Sequence, residues 1–211
     1  ILDVQQLAID PQQKWLAAGS RSGAIYLWPI AGDSAAVAKH VHPVHGGPVT
    51  GLVFDQSGHW LGSGSEDGTV AVFDTETPER PPISIRLQGG SVPTVLAFYP
   101  ASEPEESWLA VGSRDSVVQR LQWLASGDPE LTDLLGDDSR STLTMVFDPQ
   151  GQWLATVDEH DSLRFWSLTQ KFPITESRLL DQDKNGMIAV SPDGRWLAAA
   201  RSGERIVYLF T

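Results

Sequence analysis

The sequence of 211 residues contains no cysteine, which excludes disulfide bonds, thiolate metal sites and cysteine nucleophiles. No apolar run approaches the ~20 residues that a membrane-spanning helix requires, so we expect no membrane insertion. A basic leader followed by an apolar stretch is also absent from these residues, which favours a cytoplasmic location. Basic side chains are few, 15 against 27 acidic ones, and the net charge of −12 disfavours nucleic acid as a partner.

The acidic excess is concentrated between residues 91 and 150, where ten acidic side chains stand against three arginines. An acidic surface attracts a basic protein or peptide and orients it before contact. Runs of this kind more often keep surface loops soluble, and we favour that interpretation. A charged partner, if there is one, is expected to be basic.

Tryptophan, in contrast, is abundant, with eight copies. Five of them are each followed by leucine, and their spacings of 45, 48, 45 and 43 residues are nearly constant. These five are Trp15, Trp60, Trp108, Trp153 and Trp196. A regular period of this length predicts a repeat architecture in which each repeat is one structural unit. The approximate repeat boundaries are 1–45, 46–91, 92–139, 140–184 and 185–211.

The second repeat shows the pattern of one unit. An apolar strand is predicted at 49–54, a second strand rich in small residues at 60–65, and a third at 70–74. The sequence Glu66-Asp67-Gly68 between the last two is typical of a hairpin turn. A more variable fourth strand follows near 82–87. Four short strands per repeat, separated by Gly, Pro, Asp and Ser, predict an all-β fold of antiparallel sheets.

Two stretches carry a family resemblance: Val190-Ser191-Pro192-Asp193-Gly194-Arg195-Trp196-Leu197-Ala198, and Gly47-Pro48-Val49 with Gly64-Ser65-Glu66-Asp67-Gly68-Thr69-Val70. They resemble WD40 repeats, in five copies over nearly the whole chain. The resemblance implies a β-propeller of four-stranded blades around a central channel, with each repeat Trp packed between blades. It also implies a docking or sensing block in signalling. No Trp-Asp dipeptide occurs, and similar turns are found in TolB-like propellers, a resemblance that likewise implies a propeller.

The resemblance also implies a hydrogen-bonded chain inside a blade, linking Asp, His, Ser or Thr, and Trp. The second repeat matches it with Asp67, His45 and Ser63, but Phe73 takes the place of the Trp. The fourth repeat offers Asp161, Thr156 and Trp166, with Asp138 at the position of the His. Asp, His and Ser are also the residue types of a hydrolase triad. We interpret the set as structural, because a nucleophile needs an exposed serine and an oxyanion hole.

Histidines at 40, 42 and 45 raise the question of a metal site, since residues two apart on a strand face the same side. No acidic ligand is close in sequence, and Pro43 bends the segment. We therefore expect no metal and no other cofactor.

A candidate partner-binding face follows from the turns between second and third strands. Five positions after each repeat Leu, the chain has Arg21, Glu66, Arg114, Glu159 and Ser202. In a propeller these turns lie on one face, where loops on a rigid scaffold commonly bind partners. Alternating Arg and Glu fit recognition of a protein or peptide, and they fit equally a set of surface ion pairs of little energetic weight.

The predicted strands number 19 rather than the 20 of five complete blades, and the family usually has seven. Three alternatives stay open: the five blades are part of a larger ring, they close with an incomplete blade, or another copy or another protein completes them. We favour the first.

Two functions are compared. The leading hypothesis is a non-catalytic protein- or peptide-binding scaffold or sensor module that uses one face of the propeller. The alternative is a propeller enzyme or small-ligand binder with a site at the central channel. The strands predicted to line the channel are mostly apolar, and we therefore expect no enzymatic activity.

Overall fold

The computed structural model describes residues 3–30, 40–103, 106–114, 118–123, 128–134, 141–160, 162–168, 173–177, 186–201 and 207–210. In these ranges nineteen strands form five antiparallel sheets, of which four have four strands and one has three. The predicted all-β class and the four-stranded units are confirmed. No helix in the described ranges is long and apolar enough to cross a membrane.

Each sheet is called a blade, numbered along the chain. Blade 1 contains β1 (Val4–Ile9), β2 (Trp15–Ser20), β3 (Ala24–Pro29) and β4 (His40–Pro43). Blade 2 contains β5 (Val49–Phe54), β6 (Trp60–Ser65), β7 (Thr69–Asp74) and β8 (Ile83–Arg86). Blade 3 contains β9 (Pro93–Phe98), β10 (Trp108–Ser113), β11 (Gln119–Gln122) and β12 (Glu130–Asp133).

Blade 4 contains β13 (Thr142–Phe147), β14 (Trp153–Asp158), β15 (Leu163–Ser167) and β16 (Pro173–Ser177). Blade 5 contains β17 (Gly186–Val190), β18 (Leu197–Arg201) and β19 (Val207–Phe210). Within every blade the strands pair in chain order. The first strands of successive blades adjoin one another, so the first strand of each blade is the innermost one.

A buried aspartate closes the turn between the first and second strands of three blades. Asp55 accepts a hydrogen bond from the backbone N–H of Trp60 at 2.8 Å, and Asp148 accepts one from Trp153 at 2.7 Å. Asp10 occupies the same place in blade 1 and is also buried. A carboxylate that satisfies its own turn is a local structural device, so these three residues are not candidates for chemistry in the channel.

The innermost strands of successive blades adjoin one another from β1 to β17, and an apolar cluster fills each of the four seams between blades. In the seam between blades 1 and 2, Ile25 and Leu27 of β3 pack against Val49 and Phe54 of β5. All four side chains are buried. The hydrophobic core is thus divided among the seams instead of lying at one centre.

Glycine at the fifth position of the second strand lets neighbouring blades approach closely. A β-carbon on Gly19 would lie 2.5 Å from Cγ1 of Val49, and one on Gly64 would lie 2.9 Å from Cγ of Pro93. Both distances are shorter than packed carbon atoms tolerate. The first residue of the following blade therefore occupies the space that a side chain would need.

Threonine hydroxyls add a polar link between innermost strands. The hydroxyl of Thr50 donates to the carbonyl of Pro93 in blade 3 at 2.8 Å, and the hydroxyl of Thr94 donates in the same way to Thr142 in blade 4. The two bonds connect equivalent positions of successive blades. Each adds a side-chain hydrogen bond to the contact between two innermost strands.

The repeat tryptophans pack toward the blade that follows each of them. Trp108 is buried against Phe147 of blade 4, and Trp60 meets Trp123 of blade 3 edge to face. Trp15 and Trp153 are partly buried in the corresponding seams. Trp196 differs: it is 47% exposed. The prediction of a core position for Trp196 is wrong, because no described element lies on the side of blade 5 where the earlier tryptophans find their cover.

Candidate functional site

Four of the predicted face residues occupy equivalent places in the turns between second and third strands. Arg21, Glu66, Arg114 and Glu159 are all exposed, and each directly follows the last residue of a second strand. Ser202, the fifth, lies outside the described residues. The four side chains stand at the same end of successive blades, so they share one face of the molecule.

One backbone hydrogen bond, repeated four times, fixes these turns. The N–H of each turn residue donates to the carbonyl of the residue just before the innermost strand of its own blade, at 2.8 to 3.0 Å. The acceptors are Asp3, Pro48, Val92 and Ser141. Because the anchor is the same in every blade, the exposed side chains start from backbone positions that the scaffold holds in a fixed array.

The four side chains do not neutralise one another. No ion pair joins any two of them among the described residues; the contact that Glu159 makes is with His160 at 4.0 Å. Their charges therefore remain available on the surface in the alternating order of the blades.

A buried hydrogen-bond network lies beneath this face in blade 2. Nε2 of His45 is 2.7 Å from the hydroxyl of Ser63, and Nδ1 is 2.6 Å from the hydroxyl of Thr69. The Thr69 hydroxyl in turn donates to Asp67 at 2.6 Å. Asp67 also accepts the backbone N–H groups of Gly46 and Thr69. The predicted trio of Asp67, His45 and Ser63 comes together here, with Thr69 placed between His45 and Asp67.

The hydrogen bonds determine where the ring proton of His45 sits. The single hydroxyl proton of Thr69 goes to Asp67, so Thr69 can only accept from His45. Nδ1 therefore carries the proton, and Nε2 accepts from Ser63. Every polar atom of the network then has a partner while the imidazole stays neutral.

Two pKa values reflect this arrangement. Burial lowers the pKa of His45 below its usual value, and the nearby Asp67 carboxylate offsets only part of that effect. Partial burial acts to raise the pKa of Asp67, but hydrogen bonds from Thr69 and Gly46, together with His45, outweigh it and hold the pKa below its usual value. Both shifts favour the neutral imidazole beside the charged carboxylate.

The geometry of Ser63 does not suit covalent chemistry. Its hydroxyl donates to an imidazole, as a catalytic serine would, but its side chain is fully buried between β6 and its neighbours. The second ring nitrogen binds a threonine instead of a carboxylate. A substrate has no access to such a hydroxyl, so the network ties the inter-blade loop to β6, β7 and the turn.

Blade 4 contains a shorter version of the network. The indole N–H of Trp166 donates to the hydroxyl of Thr156 at 2.8 Å. Asp161 and Asp138, the other two residues predicted for this blade, lie outside the described residues. Asp158 forms a buried pair with Arg164 at 3.6 Å, which the repeat pattern did not predict.

The histidine run does not assemble into a metal site in the described part of the chain. Both ring nitrogens of His45 are engaged as above, while His40 and His42 stack with ring centroids 6.5 Å apart. His42 also contacts Phe73 of blade 2, with ring centroids 5.2 Å apart. Burial lowers the pKa of His42, and the neighbouring His40 adds to the effect. No group of three or more potential ligands occurs among the described residues.

Sequence reasoning missed two residues of this region. Thr69 had no predicted role at the site, although its hydroxyl joins His45 to Asp67. Arg86 on the outer strand β8 donates through its guanidinium to the backbone carbonyl of Asp67 at 2.7 Å, next to Glu66. The outer strand varies between repeats, so no pattern in the sequence could have singled out Arg86.

Comparisons with known proteins agree with this architecture. The family model described as "WD domain, G-beta repeat" matches residues 2–29 and 37–74. Human Striatin-4 is 27% identical over 208 residues, which cover 92% of this chain and 27% of that protein. The chain thus spans about a quarter of the length of this relative.

Two solved structures are similar in fold. The β-propeller domain of Cps50 (Swd1) from Myceliophteria thermophila superposes with a TM-score of 0.82 at 13% sequence identity, covering 100% of this chain and 65% of that one. A chain of the Mitotic Checkpoint Complex superposes with a TM-score of 0.73 at 22% identity, covering 94% of this chain and 60% of that one. Five antiparallel sheets in chain order, the repeated seams and these superpositions show a β-propeller architecture, and its first two blades match the WD40 repeat model.

Proposed function

We propose that this chain is a non-catalytic module that binds a protein or peptide on the face formed by the turns between second and third strands. The observation that supports it best is the array of exposed turn residues Arg21, Glu66, Arg114 and Glu159, each held by the same backbone hydrogen bond. Side chains displayed at fixed spacing on a rigid scaffold recognise extended or looped partners with little loss of conformational freedom. Ser202 is proposed to complete the array.

The proposal of a protein partner is also supported by two similar proteins whose names place them in complexes. One similar structure is a chain of the Mitotic Checkpoint Complex, which is an assembly of several chains. A 75-residue stretch, 36% of this chain and 23% of the relative, is 36% identical to the target of rapamycin complex subunit wat1 of Schizosaccharomyces pombe. Binding within assemblies is what we propose for this chain as well, in a cytoplasmic setting and without nucleic acid.

The alternative of a propeller enzyme or small-ligand binder has less support. The innermost strands β1, β5, β9, β13 and β17 contain no Asp, Glu, His, Lys or Arg. Acid–base or nucleophilic chemistry at the central channel would need such groups on these strands. We assign the Asp67–His45–Ser63 set a structural role instead of a catalytic one, because Ser63 is fully buried.

The charge of the chain favours a basic partner. The net charge is −12, and Glu66 and Glu159 provide fixed negative positions on the proposed face. Arg21 and Arg114 alternate with them and would donate hydrogen bonds to acidic side chains or carbonyl groups of the same partner. Alternation of sign gives register along a peptide, whereas the overall acidic field increases the rate of encounter.

An array of peptides of about 15 residues with graded net charge tests the proposal. We expect retention of basic peptides, and loss of at least about tenfold in affinity with Glu66→Lys, which corresponds to roughly 1.4 kcal/mol. Glu79→Lys is the matched control, because Glu79 is exposed in the loop between β7 and β8 at the opposite end of blade 2. Equal losses in the two variants would mean that net charge alone controls binding, and the proposed face would be wrong.

A further inference from the structure

The seam between blades 3 and 4 contains a charged side chain at a position that is apolar in the other blades. The residue two places after each repeat tryptophan pairs across the blade with a residue of the third strand. Those partners are Leu27, Val72, Arg120, Phe165 and Leu209. Leu27 and Val72 are fully buried in their seams. A guanidinium at such a position costs free energy unless it has an anion as a partner or a route to solvent.

Arg120 stacks on the repeat tryptophan of its own blade. Its guanidinium carbon lies 4.9 Å from the centroid of the Trp108 ring, and that ring is buried. Arg120 forms no hydrogen bond or ion pair within the described ranges, and its Nε atom is buried without a partner. A guanidinium that stacks on an indole keeps its edge free to donate two parallel hydrogen bonds to a planar anion. The side chain is therefore oriented for an anion that the described residues do not supply.

A second arginine faces the same seam and has its carboxylate. Arg164 lies on the side of β15 from which Trp166 packs into this seam, and it is only 7% exposed. It forms an ion pair with Asp158 at 3.6 Å. Glu130 on the neighbouring strand β12 forms no such pair with Arg120 in the part of the chain described. Acidic side chains are plentiful, 27 in all, so their scarcity does not explain the unpaired guanidinium.

The seam is open to solvent beside Arg120. Arg120 pairs with Thr132 of the outer strand, and Thr132 is exposed. The equivalent pair in blade 2 is Val72 and Ile83, which both pack into the seam with blade 3. Arg120 is partly exposed and Nε is its buried nitrogen, so the two terminal NH2 groups are the part that a ligand can reach.

The surroundings restrict the kind of anion. Trp166 and Leu168 of blade 4 are half-buried and pack against the same apolar cluster as Trp108. A ligand would therefore place apolar groups next to its negative charge. The net charge of −12 repels polyanions such as nucleic acid, and a single guanidinium does not offset that repulsion. One carboxylate on an otherwise apolar protein segment fits these conditions best.

We propose that Arg120, supported by Trp108, binds an Asp or Glu side chain of a protein partner at the outer end of the seam between blades 3 and 4. Charge-assisted hydrogen bonds are strong where neighbouring aromatic rings exclude water. The site is separate from the face formed by the turns, and it binds the opposite charge.

An array of peptides of about 15 residues tests the proposal. Each peptide has one Asp or Glu between apolar residues, and its counterpart has Asn or Gln instead. We expect the chain to retain a set of acidic peptides and to release their amide counterparts. Arg120→Leu should weaken the retained peptides at least about tenfold. Arg80→Leu is the matched control, because it removes the same charge from an exposed position in the loop between β7 and β8.

Two outcomes of the array would overturn the proposal. Equal losses in Arg120→Leu and Arg80→Leu would mean that net charge alone controls retention. Retention that does not distinguish Asp or Glu from the amides would mean that no carboxylate is bound. The turn face is tested with basic peptides, so either site can fail without the other.

Unfolding in urea separates binding from a structural role. Leucine is the natural residue at the equivalent position of blade 1, where Leu27 is buried. We therefore expect the urea midpoint of Arg120→Leu to equal or exceed that of the unsubstituted chain, because an unpaired charge leaves the seam. A lower midpoint would show that the contact of Arg120 with Trp108 stabilises the seam, and the assignment of Arg120 to a partner would be wrong.

Discussion

The β-carbon that Gly19 lacks would lie 2.5 Å from Cγ1 of Val49, so the contact between blades 1 and 2 depends on a missing side chain. Two other second strands have glycine at this position, Gly64 and Gly112, and each is close to the first strand of the next blade. Close approach of backbones is thus a repeated property of the seams.

Gly19→Ala should destabilise the fold by about 1 to 3 kcal/mol, because the added methyl group forces Val49 and β5 away from blade 1. Urea titration followed by tryptophan fluorescence measures the change. Gly46→Ala is the control, since the nearest atom to its added β-carbon is at 3.4 Å, an ordinary contact. If both variants unfold at the same urea concentration, the seam is more adaptable than the packing indicates.

Stability should decrease as the pH falls from neutral, because the pKa values of His42 and His45 are lowered in the folded state. The unfolded chain, with histidine near 6.5, binds protons first, so the stabilising contribution is complete above that pH. It is lost progressively as the pH falls below 6.5 toward the folded-state values. Urea midpoints at pH about 7.5 and about 5.5 measure this difference.

His45→Gln should lower the stability at neutral pH and reduce the difference between the two pH values. His160→Gln is the control, because His160 is exposed in the β14–β15 turn. A pH dependence that is the same in wild type and His45→Gln would remove His45 as its source. Asp67 acts in a separate range: its lowered pKa stabilises the fold above about 3.8, and this contribution is lost in stronger acid.

Trp153→Ala and Trp196→Ala should differ greatly although both remove a repeat tryptophan. Trp153 packs with Phe165 and with the seam that contains Leu197, so its loss should cost about 3 kcal/mol. Trp196 is 47% exposed, and its loss should cost less than about 1 kcal/mol. Urea unfolding followed by circular dichroism compares the two. A loss below about 1 kcal/mol for Trp153→Ala would show that the ring is not part of the seam.

The repeat pattern predicted the strands well because each is bounded by strong local signals. The predicted second strand at 60–65 coincides with β6, and the third begins one residue earlier than predicted, at Thr69. Turn residues such as Asp55 and the pair Asp67-Gly68 determine these ends through contacts within a few residues. Local chemistry of this kind can be read directly from a sequence.

Contacts between blades could not be predicted in the same way. The burial of each repeat tryptophan depends on the next blade, so Trp196 has the same local sequence as the others and a different environment. The hydrogen bond from Thr50 to Pro93 joins residues 43 positions apart in the sequence. For the candidate site, the turn positions could be predicted from the period, whereas the roles of Thr69 and Arg86 required the three-dimensional arrangement.

The division of the hydrophobic core among four seams also determines which blades should unfold locally first. A middle blade such as blade 3 is held on two sides, while blades 1 and 5 are each held on one side by the described residues. Local unfolding should therefore begin at the two outer blades and proceed inward, as in other linear repeat arrays. Amide hydrogens of β10 should exchange with deuterium most slowly, and those of β18 much faster.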